Sequence, residues 1–248
     1  MTTMTTNELM AAVCPVIRDT GWAFYFAPAT LARGKELGLG GMQFYILGRG
    51  GVLGDVESSV IASAFGYFNP QTIDALWTSG RASVAPRTAG REYMQCCAAH
   101  GRDKLAGVHG LEAFVAAADV VKDAADPSAL ALYAGIAAEP LANDAPARAM
   151  QLITVLREFR GSAHLVALRA VGLANKTAQF IKRPQDAAMF GWTDADVAEI
   201  TQEMRDLLDE AEVLTDRIVG PAYAALRDAA QIAFADGLNA IQRALAGE

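Results

Sequence analysis

One stretch of the chain concentrates groups able to do chemistry. Arg157, Glu158, Arg160 and His164 interrupt an otherwise apolar run, with Leu152, Ile153, Val155 and Leu156 before them and Leu165, Val166 and Leu168 after. On a helix, Arg157, Arg160 and His164 stand at i, i+3 and i+7 and share one stripe. Charged groups on a helix fit for burial are costly unless paired and hydrogen-bonded. Two arrangements meet that demand: an internal Arg–Glu network, or a cavity in which the same groups hold a polar ligand. In the second, the arginines would grip a carboxylate or oxyanion, and His164 would be a proton-transfer group.

An internal echo supplies more candidates. Arg49-Gly50, an apolar helix, Ala64-Phe-Gly66 and Asn69 resemble Arg160-Gly161, an apolar helix, Ala170-Val-Gly172 and Asn175. Gly66 and Gly172 are 106 positions apart, as are Asn69 and Asn175. A glycine closing one helix and an asparagine capping the next make a tight helix–turn–helix. Gly-x-x-Asn is also ordinary helical punctuation. If the echo is a duplication, a pseudo-twofold axis brings Arg49 and Tyr45 toward Arg157, Arg160 and His164 in one cleft. The expected site is then Tyr45 and His164 as acid or base, with Arg49, Arg157, Glu158, Arg160, Tyr25 and Phe159 binding the ligand.

Other constellations are weaker. Cys96-Cys97-x-x-His100 has the types of a metal fragment, but adjacent cysteines on a helix point about 100° apart and no fourth ligand is evident. No metal and no cofactor are expected. Trp22, Phe24, Tyr25 and Phe26, with Phe44, Phe65, Tyr67 and Phe68, form either a core wall or a pocket wall. LGLGG and GRGG lack the lysine and hydroxyl residue of a phosphate loop.

The elements that would position these groups are helical. Periodicity predicts helices over residues 7–19, from Asp55 to Gly66 along a Val56/Val60/Ala64 stripe, from Asn69-Pro70 to about Gly80, and over 91–100 and 111–125. A long apolar helix follows from Ala147 to about Val171, then one from Asn175 to Lys182. Thr193-Asp-Ala-Asp196 resembles a capping box opening an acidic helix that reaches Ile218 and breaks at Pro221. A last helix fills Tyr223 to Leu245. Residues 41–48 suit helix or strand, and 78–90 read as a loop. The expected fold is all-α, with two related halves, 1–126 and 127–248, around a central cleft.

Composition narrows the partners. Hydrophobic residues make up 52% of the 248 and charged residues 20%, so much surface is expected to be buried between helices or subunits, and a homodimer is compatible with that. No span of about 20 apolar residues exists for a membrane, and the N-terminus lacks the pattern of a signal peptide. Three cysteines, two of them adjacent, suit a reducing cytoplasm. A net charge of −7 opposes approach to phosphates.

Further residues carry a family resemblance. They are Tyr25-Phe-Ala-Pro28, Leu37-Gly-Leu39, Gly48-Arg49, Leu53-Gly54 and Phe68-Asn-Pro70, then Leu156 to Gly161, His164, Gly172-Leu173, Gly191-Trp-Thr193 and Thr215-Asp216. In these the chain resembles a family of conserved actinobacterial proteins described as helix-turn-helix-like. The resemblance implies a winged-helix ending and histidine or aspartate at positions where this chain has Gln151, Phe159 and Ser162. If the family site binds a metal, those departures remove it. Met204 to Asp216 reads as uninterrupted helix where the resemblance implies a β-wing, and its acids Asp206, Asp209, Glu210 and Glu212 repel phosphate. This makes the C-terminal half a degenerate winged-helix-like region.

Three functions remain open. The first is a small-molecule-binding protein for an apolar or amphipathic molecule with an anionic or polar group, having lost DNA contact. The second is a cofactor-independent isomerase, lyase or hydrolase using the same cleft. The third is a transcription regulator.

Overall fold

A computed structural model describes residues 4–196 and 199–247. Among them the chain forms twelve α-helices and no strand, in agreement with the all-α reading. In order they are α1 (Thr6–Thr20), α2 (Pro28–Glu36), α3 (Gly41–Gly50), α4 (Ser58–Phe65), α5 (Pro70–Arg81) and α6 (Pro86–Lys104). They continue with α7 (Leu111–Ala124), α8 (Ala131–Ala137), α9 (Ala145–Val171), α10 (Asn175–Lys182), α11 (Gln202–Tyr223) and α12 (Asp228–Ala246).

The organising element is α9. Asp144 caps it by accepting from the Ala147 amide, Pro146 lies in its first turn, and Gly172 ends it at φ 81°. Between these signals nothing interrupts the run, so it extends about 40 Å. It is buried on most sides, as expected of a helix apolar around its circumference. α1, α6, α7, α8, α10 and α11 all pack on it. The main core runs from Leu9 to Ile241 and joins the two sides of the 126/127 seam, with α7 lying on α12 and α6 on α9. A smaller cluster ties Leu168, Leu173 and Ala178 to Leu208 and Ala211.

Several local expectations are corrected. The Val56/Val60/Ala64 stripe is not the buried face of α4: Ile61 and Phe65 are buried, and Val60 is exposed. The helix starts only at Ser58, so Val56 lies outside the periodicity. Residues 78–81 and 86–90 are helical, leaving a short link where a loop was expected. Thr193 and Asp196 do bond to each other, but they close a 3-10 turn, and α11 begins at Gln202 with Thr201 as its cap. The expected continuation through Val197 and Ala198 lies outside the described residues. Pro221 falls in the last turn of α11, which runs on to Tyr223. Residues 41–48 are helix.

Candidate functional site

The structure brings five of the eight expected site residues together and separates the other three. Glu158, 1% exposed, lies between two guanidinium groups. Arg49, from the last turn of α3, donates Nε to Oε1 at 2.9 Å and Nη2 to Oε2 at 2.7 Å, the bidentate geometry that suits arginine to carboxylate. Arg157 donates Nη1 to the same Oε1 at 3.1 Å. The Tyr25 hydroxyl donates to Oε1 at 3.0 Å and accepts from Arg157 at 3.3 Å, while the Tyr45 hydroxyl accepts from Arg49 at 3.0 Å. The Arg49 guanidinium also lies over the Phe65 ring, 4.3 Å from its centre. Burial pushes the Glu158 carboxyl up, but the fields of Arg49 and Arg157 with the Arg49 and Tyr25 hydrogen bonds outweigh it and hold it below the ordinary range. Burial drives the Tyr25 hydroxyl far above its usual value, so it stays a neutral donor. Two cations and one anion are thus enclosed, and Arg157 Nε has no partner.

Arg160 and His164 do not join this network. Arg160 reaches α11, donating to Asp216 at 2.6 Å and Glu212 at 2.9 Å. Glu212 also holds Lys182 of α10. His164 Nδ1 lies 2.8 Å from the Thr215 hydroxyl. That hydroxyl already donates to the Ala211 carbonyl at 2.6 Å, so the imidazole carries its proton on Nδ1. Nε2 then faces Glu212 Oε1 at 3.8 Å and makes no hydrogen bond. Burial, with Lys182 beside it, pulls the imidazole down to about 4 against the raising field of Glu212. Phe159 packs on Tyr133, ring centres 4.8 Å apart. The convergence of Arg49, Arg157, Arg160, His164 and Tyr45 on one cleft is therefore corrected. Arg157 and Arg160 lie three residues apart and lean to different neighbours, Tyr25 in the link after α1 and the carboxylates of α11.

The echo explains the misplacement. Gly66 and Gly172 both end helices at positive φ, and Asn69 caps α5 by accepting from the Gln71 amide. Asn175, however, is the first residue of α10, whose cap Ala174 makes no side-chain hydrogen bond. Arg49-Gly50 ends a helix, whereas Arg160-Gly161 lies mid-helix in α9. The two arginines do not occupy equivalent points.

Open space lies elsewhere. A groove of about 710 Å³ runs between α4, the start of α8 and the C-terminal half of α9. Its apolar walls include Leu53, Val60, Leu130, Leu132, Leu165 and Val166, and its polar groups are Ser59, Ser63, Ser162, Arg169 and Asn175. None of the eight expected residues lines it. Ser162 Oγ and Asn175 Oδ1 are buried without hydrogen-bond partners. The missed signal was a second stripe on the same helix: Ser162, Leu165, Val166 and Arg169 stand at i, i+3, i+4 and i+7, one face of α9.

Among the described residues no set of three or more His, Cys, Asp or Glu side chains is placed to ligate an ion. No described helix is long and apolar enough to cross a membrane. The basic residues of α10 are tied down: Lys176 stands 4.0 Å from Asp196 and over the Trp192 ring, and Lys182 pairs with Glu212. α11 continues unbroken through Met204 to Asp216, where the resemblance implies a wing.

The sequence profile of a helix-turn-helix family matches residues 11–248. No curated protein and no solved structure matches the chain.

Proposed function

The chain belongs to that helix-turn-helix family, and from this premise we propose that it is a small-molecule-binding member that does not engage DNA. The observation that carries the reading is the groove between α4, α8 and α9, apolar on its walls with a few polar groups, the composition typical of ligand sites. Against DNA stand the net charge of −7, the ion-paired lysines of α10 and the continuous α11. An acid–base enzyme would need room at His164 or Tyr45. His164 Nε2 abuts Glu212 and the Tyr45 hydroxyl is engaged by Arg49, which favours binding over catalysis.

The test uses N-phenyl-1-naphthylamine, a neutral apolar fluorophore. It is expected to bind saturably at one site, and Ser63→Trp, an exposed groove position, is expected to weaken it by at least about tenfold. A duplex from the gene's own upstream region is expected to show no salt-dependent, competitor-resistant shift in a gel assay. Fluorophore binding indifferent to Ser63→Trp would overturn the groove reading, and such a DNA shift would restore the regulator.

A further inference from the structure

The groove carries one formal charge. Among the described residues Arg169 is the only ionisable one lining it, it is exposed, and its guanidinium has neither an ion-pair partner nor a side-chain hydrogen bond. Every other arginine named above is ion-paired to a carboxylate of this chain, Arg49 and Arg157 sharing Glu158. Two turns earlier on the same face, Ser162 is 8% exposed and its hydroxyl makes no hydrogen bond. A buried hydroxyl without a partner is a cost that an incoming polar atom relieves. Between them Leu165 and Val166 present only hydrocarbon, faced across the groove by Val60 and Leu132. The order along the groove is therefore cation, apolar floor, hydrogen-bonding hydroxyl, with Ser162 and Arg169 about 10 Å apart along the axis.

Resting on the small-molecule reading, we infer that the ligand is an amphipathic acid, its carboxylate at Arg169 and an oxygen function on its chain, a hydroxyl or keto group, at Ser162. The complementarity is electrostatic at one end and hydrogen-bonding at the other, and the chain between them has an apolar wall on each side. A cationic amphiphile would meet the unpaired guanidinium, and a plain alkyl chain would leave Ser162 unsatisfied.

Displacement of the bound fluorophore at pH 8 tests this with three probes: decanol, decanoate and 10-hydroxydecanoate. Decanoate is expected to compete about fivefold better than decanol, the modest gain of an ion pair at an exposed rim, and the gain should shrink with added salt. 10-Hydroxydecanoate is expected to compete several-fold better still. Arg169→Gln should erase the preference for decanoate over decanol, and Arg169→Lys should retain part of it. Ser162→Ala should erase the advantage of the hydroxy acid while leaving decanoate unchanged. Equal competition by decanol and decanoate, with fluorophore binding still blocked by Ser63→Trp, overturns the ligand class and leaves the groove reading standing. If the fluorophore does not bind saturably, both fall together.

Discussion

Glu158 is the side chain on which most of the buried charge depends. Among the described residues it is the only carboxylate bonded to Arg49 and Arg157, both of which are largely removed from water. Glu158→Gln should therefore cost about 3–5 kcal/mol, the usual penalty for stranding buried charge. Arg157→Met should cost less, because it leaves the Arg49–Glu158 pair intact and neutral. Urea denaturation of the two variants checks the order, and a larger loss for Arg157→Met would sink this account. His164 acts through pH. Its folded-state value of about 4 lies below the ordinary histidine value, so as pH falls the unfolded chain takes up a proton before the fold does. Stability is full above about pH 6.5 and falls progressively toward pH 4, by up to about 3 kcal/mol. Glu212, held low by Lys182 and His164 despite its burial, loses stability in the same direction at lower pH. His164→Gln should flatten the pH 4–6.5 limb of the stability profile measured by thermal melts, and an unchanged slope would refute the assignment.

At the scale of elements, closeness of approach is the controlling quantity. The end of α3 crosses α6 so tightly that a Cβ on Gly51 would land on the Pro86 carbonyl, which is backbone and cannot swing away. Gly51→Ala is expected to destabilise by about 2–3 kcal/mol. Gly161 provides the contrast, since it lies within α9 with nothing within 4 Å of an added Cβ. Gly161→Ala should stabilise by about 0.5–1 kcal/mol, the helix-propensity gain alone. Chemical denaturation of both variants gives opposite signs if the crossing is as close as described. The buried face of α4 is not legible in the sequence for a related reason. Its eight residues hold too few turns for periodicity to choose between the Val60 and Ile61 faces, whereas the 27 residues of α9 left no doubt that it is buried.

For the whole molecule, the shared core predicts joint folding. α7 lies against α12 and α6 against α9, so residues 1–126 alone would expose the apolar faces that the later helices cover. The full chain is expected to unfold in one calorimetric transition, and the isolated 1–126 fragment to show no cooperative melt. Two separable transitions in the full chain would contradict this.

The amino-acid sequence by itself determined the all-α class, the limits of α9 and the burial of its charged groups. These follow from spacing, caps and glycine termini acting within one or two turns. It also marked Arg49, Tyr25 and Tyr45 as groups that could meet the α9 charges. Tertiary structure alone decided which charges meet. Arg157 and Arg160 share a stripe in sequence terms, yet a stripe on a helix enclosed by six neighbours touches different helices at successive turns. Glu158 accordingly takes Arg49, Arg160 takes Asp216 and Glu212 from more than 50 residues away, and open space falls to the Ser162–Arg169 face. Pairing across such separations is set by how the helices cross, and local periodicity carries no information about that.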